Sequence, residues 1–111
     1  MALAMSDSLL LQKYNFNPKD IRYMFNLWLK HGLGNGGRSH SIGLGGNISL
    51  SMYEFMDHQK DFTEQGDIQT SGNGSLMRLA PVPIAFRDNE KEAVENSKKS
   101  SITTHQGLEA R

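Results

Sequence analysis

With 111 residues, 12 basic and 12 acidic side chains and no cysteine, the chain has room for one modest hydrophobic core. It cannot build a disulfide framework, a thiolate metal site or a thiol nucleophile. A net charge of zero lacks the basic footprint that nucleic acid or an anionic membrane surface requires, and no apolar run nears the ~20 residues that cross a bilayer, so neither is an expected partner. The start, Met1-Ala2-Leu3-Ala4-Met5, lacks the basic flank and cleavage site of a secretory leader, which together with the absent cysteine points to the cytoplasm.

Apolar residues at 1, 5 and 9 and at 3 and 10 predict a buried helical segment from Met1 to Gln12. No capping residue precedes it, so its first turn is expected to lie outside this chain. Tyr14 to Asn17 breaks the pattern, and Asn17-Pro18 supplies a cap followed by proline at the first helical position. Ile21, Met24, Phe25, Trp28 and Leu29 then recur at helical spacing up to about Gly32. Lys19, Arg22, Asn26 and Lys30 are assigned to the wet side of this helix.

Seven glycines between Gly32 and Gly46 rule out a regular element and predict a long loop, a type of segment that often carries function. Gly43 to Asn47 leads into Ile48, Met52, Phe55 and Met56, a second amphipathic pattern whose small-residue entrance offers a row of free N–H groups. Asp57 to Gln69 reads as polar and turn-like.

The chemistry concentrates in Thr70 to Arg78, Thr-Ser-Gly-Asn-Gly-Ser-Leu-Met-Arg, which runs into Leu79-Ala80-Pro81-Val82-Pro83. Its first half is small and polar and its second half apolar, so a tight loop is expected to feed a buried helix near Ser75. The first amides of a helix have no carbonyl partner and lie at the positive end of its dipole, which makes such a junction a place for an anion. Glycines let a phosphate approach that backbone, Ser71 and Ser75 add hydroxyls, and Asn73 tolerates positive φ in the turn. Arg78 in the first turn would sit at the wrong end of the dipole and calls for a negative partner, a ligand phosphate or a buried carboxylate. An ordinary structural loop with a tight helix entry explains the same residue types.

Pro81 and Pro83 predict that this helix is kinked or broken early. Beyond it, Asp88 or Asn89 caps the next helix with Glu92 placed as a capping-box partner of Asn89, Glu95 and Lys99 form an i, i+4 pair, and Ala93, Ser97 and Ser101 a row of small residues for close packing. Strand signals are poor throughout, so the fold class is all-α. A further helix is expected to begin near residue 107, and both ends read as cut.

Ser71-Gly72-Asn73-Gly74-Ser75-Leu76-Met77-Arg78 resembles the central loop and helix of the ADP-ribosylglycohydrolase family. Ser100 to His105 is similar to its S-x-x-T-H segment, and Met1 to Leu10 to the helix that follows its Thr-Asp-Asp metal motif. That family includes the dinitrogenase reductase-activating glycohydrolases, the ADP-ribosylarginine hydrolases and some lens crystallins. The resemblance implies an irregular helical bundle of which residues 1–111 form the middle third. It implies hydrolysis of the glycosidic bond of ADP-ribosylated side chains or small ADP-ribosides with two divalent cations, magnesium or manganese. Ser71, Gly72, Asn73 and Gly74 would cradle the diphosphate with Ser75 beside them, His105 would line the ADP-ribose pocket, and Gly43 would lie in the family's earlier glycine loop. Arg78 would brace the loop through an ion pair. Neither metal-ligand motif falls within the chain, so no metal and no catalytic residue are assigned to it, and it is expected to be inactive alone. The alternative is a non-catalytic protein of the same fold, either crystallin-like and structural or binding ADP-ribose without cleaving it.

Overall fold

The computed structural model describes residues 1–32, 34, 37–38, 44–64, 72–105 and 107. Over these the chain forms six helices: α1 (Ala2–Leu11), α2 (Pro18–His31), α3 (Gly46–His58), α4 (Gly74–Met77), α5 (Pro81–Ala85) and α6 (Glu90–Ile102). No strand occurs among the described residues, as the all-α reading expects. α1 packs on α2 and α5, α2 also packs on α3, and α6 packs on α4 and α5.

Helix α2 is built as its residues dictate. Asn17 is extended at φ −116° and its side chain accepts from Asp20 N at 3.1 Å, Pro18 occupies the first turn, and Gly32 closes the helix in the left-handed region at φ 70°. Ile21, Met24, Phe25 and Trp28 are buried against the Ala4, Met5 and Leu9 side of α1. Burial of four such side chains contributes roughly 6–12 kcal/mol before conformational entropy is set against it. Helix α1 itself is apolar on nearly every side, and its outer residues Leu3, Leu10 and Leu11 remain exposed.

The wet side assigned to α2 is half wrong. Arg22 and Asn26 are buried, because α3 packs along that face and brings acceptors with it. The Arg22 guanidinium donates to Lys60 O and Ser51 O, each at 2.7 Å, and to Ser51 Oγ at 3.1 Å. It lies 3.8 Å from Glu54 Oε1 and stacks 5.1 Å from the Phe55 ring centroid. Among the described residues Arg22 Nε and Asn26 Oδ1 stay without a hydrogen-bond partner, so the burial is only partly compensated, and only the neighbouring helix reveals it.

One other expectation shifts. Helix α3 continues through Asp57 and His58, which were read as turn, and ends at Gln59 in the left-handed region with φ 51°. At the proline pair the helix is broken early, as expected, and a new one starts. α4 stops after one turn at Met77, and Pro81 and Pro83 sit in the first turn of α5, where a missing N–H costs nothing because that group has no partner in the helix. Helix α6 begins as expected, with the Asn89 side chain accepting from Glu92 N at 3.1 Å and Lys99 3.0 Å from Glu95.

Candidate functional site

The start of α4 meets the start of α3 beside the segment that follows α6. Of the residues expected to form the site, Gly72 and Asn73 are exposed, Gly74 is half-buried and Ser75 is buried. Gly43 and Ser71 lie outside the described residues. Asn73 precedes α4 at φ −81°, so the turn needs no left-handed residue there, contrary to expectation.

The glycines instead serve close approach. A Cβ on Gly74 would stand 3.2 Å from His105 Cε1, 3.2 Å from Ile48 Cδ1 and 3.3 Å from His105 Nε2. One on Gly72 would stand 3.5 Å from Asn47 Nδ2 and 3.9 Å from His105 Nε2. The loop is thus seated on α3 through Asn47 and Ile48 and on the His105 ring. Gly45 and Gly46 at the entrance of α3 are exposed, with open space where a Cβ would be and no side-chain cap on the helix. Two helix beginnings therefore face solvent together. Among the described residues no carbonyl accepts from the amides of Asn73, Gly74 or Ser75.

Ser75 is placed differently from a ligand hydroxyl. Its Oγ accepts from Ser101 Oγ at 3.0 Å, which ties α4 to α6. His105 is 2 % exposed, and its Nδ1 lies 2.7 Å from Thr104 Oγ1. Burial, and secondarily the charge of Arg78, lowers the imidazole pKa to about 4, so the ring is neutral at neutral pH. The Nε2 edge of the ring faces the glycine loop, 3.3 Å from where a Cβ on Gly74 would stand.

Arg78 departs from both partners foreseen for it. It follows α4 rather than opening it, and no carboxylate among the described residues comes within salt-bridge distance of it. Its NH2 donates to Ser100 O at 3.0 Å and Thr103 Oγ1 at 3.2 Å, and the guanidinium stacks 4.9 Å from the Phe25 ring centroid. The negative partner is therefore the carbonyl end of α6 together with the face of an aromatic ring. This compensation is incomplete: Nε and NH1 have no hydrogen-bond partner, and burial pulls the guanidinium pKa down to about 9. Residue spacing carried no sign of this arrangement, nor of Asn47 and Thr104 as the side chains that frame the loop and the ring.

No group of three His, Asp or Glu side chains that could hold either of the two divalent cations implied by the resemblance occurs among the described residues.

No curated protein and no solved structure matches the chain. The family model described as ADP-ribosylglycohydrolase matches residues 1–111. Taken with the helical architecture and the glycine loop seated on His105, that match places the chain in the ADP-ribosylglycohydrolase family.

Proposed function

We propose that the paired starts of α3 and α4 bind the diphosphate of ADP-ribose, presented free or attached to a protein side chain. The observation that carries this reading is the set of amides at Asn73, Gly74 and Ser75, which have no carbonyl partner among the described residues and open beside the bare Gly45-Gly46 entrance. Backbone donors at two helix beginnings stabilise an anion without a neighbouring lysine or arginine side chain. His105 turns its neutral ring toward the loop, and that neutrality is consistent with a role in orienting the ligand rather than in balancing its charge. Ser75 and Ser101 hold the loop against α6.

The reading is of binding, with glycosidic cleavage as the chemistry of the family to which the chain belongs. Because the described residues hold no metal-ligand cluster, ADP-ribose is expected to bind without turnover of ADP-ribosylarginine when magnesium is added. Isothermal titration with ADP-ribose tests the site. Heat of binding that disappears in Gly74→Val but survives in the distant exposed variant Leu50→Ala supports it. Absence of heat with the folded wild-type chain, or release of ADP-ribose in a magnesium-dependent manner, overturns the respective half of the reading.

A further inference from the structure

Thr104 is buried, and its Oγ1 lies 2.7 Å from His105 Nδ1. The backbone beneath the pair is fixed. Thr104 N donates to Ser101 O at 3.1 Å, His105 N donates to the same carbonyl at 2.8 Å, and Ser51 Oγ donates to Thr103 O at 2.9 Å. Among the described residues Nδ1 is the one hydrogen-bond partner of Thr104 Oγ1. The ring is neutral at neutral pH, so one nitrogen carries a hydrogen and the other a lone pair. Were the hydrogen on Nδ1, the Thr104 hydroxyl would have to accept it, and its own hydrogen would be buried without an acceptor. An unmade buried donor is the costly case in hydrogen bonding. A donating hydroxyl satisfies both groups and leaves the hydrogen on Nε2, at the edge that faces the glycine loop.

We propose that Thr104 is a positioning residue of the ADP-ribose site: its hydroxyl holds His105 as the Nε2-protonated tautomer, which turns a donor rather than a lone pair toward the diphosphate. This role presupposes the diphosphate reading above and explains how a neutral ring serves an anion. Ionised phosphate oxygens only accept, so the opposite tautomer would set a lone pair against them. The Nε2 atom lies 3.3 Å from the Cβ position of Gly74 and 3.9 Å from that of Gly72, which is itself exposed. The donor therefore stands at the loop, and Thr104 acts only through the ring.

Nitrogen NMR of the labelled free chain at neutral pH reads the tautomer from the couplings of the ring C–H protons to each nitrogen. Nε2 should be protonated in the wild type and in Thr104→Ser, whereas Thr104→Val, which keeps the volume but not the hydroxyl, should show a mixture of tautomers. Calorimetric titration should find ADP-ribose bound about two- to tenfold more weakly by Thr104→Val, in proportion to the fraction of ring no longer protonated on Nε2. Thr104→Ser should restore the wild-type affinity. A wild-type ring protonated on Nδ1, an unchanged ring spectrum or unchanged affinity in Thr104→Val, or a serine variant no better than valine overturns the assignment. Absence of heat from the folded wild type overturns the diphosphate reading instead, and the ring spectra of the free chains still decide whether Thr104 sets the tautomer. Circular dichroism checks the fold of each variant, and Thr104→Ala replaces Thr104→Val if the valine chain does not fold.

Discussion

Substituting Gly74 with alanine separates the two explanations of the glycine loop. If Gly74 merely punctuates a turn, alanine should help, since its φ is not in the left-handed region and a first-turn Gly→Ala change gains up to about 1 kcal/mol in helix propensity. The structure predicts the opposite. The new methyl would meet His105 Cε1 and Ile48 Cδ1 at 3.2 Å and His105 Nε2 at 3.3 Å, closer than ordinary contact. The ring is buried and tied to Thr104, and Ile48 belongs to the core, so neither retreats freely. Overpacking of this kind costs about 1–3 kcal/mol, which outweighs the propensity gain. A net loss of about 1–2 kcal/mol is expected, read as a lower urea midpoint at unchanged slope. Gly46→Ala is the matched control. It too lies in a first helical turn, but nothing stands within 4 Å of its Cβ position. It should gain a few tenths of a kcal/mol up to about 1, while weakening ADP-ribose binding by covering an amide. Equal or greater stability of Gly74→Ala relative to the wild type would refute the seating of the loop on His105.

The titration of His105 gives a second expectation. Its folded pKa of about 4 lies below the ordinary 6.5, so the unfolded chain binds the extra proton first. Stability should therefore fall as pH drops from 6.5 to 4, and urea midpoints for His105→Gln should fall less steeply than those of the wild type through that window. Arg78→Met removes the second cause of that depression, and the His105 ring pKa, followed by proton NMR, should rise; an unchanged value would show that the two groups do not interact. The same substitution loses two hydrogen bonds but also removes a buried cation with two unpartnered N–H groups, so its stability should stay within about 1 kcal/mol of the wild type. Arg22→Ala should cost about 3–5 kcal/mol in thermal or urea unfolding, because it strips the donor shared by Ser51 O and Lys60 O and leaves Glu54 without its nearby cation. A loss below 1 kcal/mol would show that water replaces the guanidinium.

Local chemistry was legible where one residue decides one conformation. Asn17, Pro18 and Gly32 bound α2, and Asn89 starts α6, because caps act within three or four residues of themselves. The glycine loop and its histidine were also visible, since their residue types and order stand in the chain itself. Only tertiary structure decided what those glycines are for: Gly74 is small because His105 and Ile48, from two other helical regions, arrive at the same point. It likewise decided that Arg22 is buried and that Arg78 answers to the end of α6 and a phenyl ring. Burial and charge compensation depend on which groups meet across the fold, and periodicity along one helix reports only its own faces.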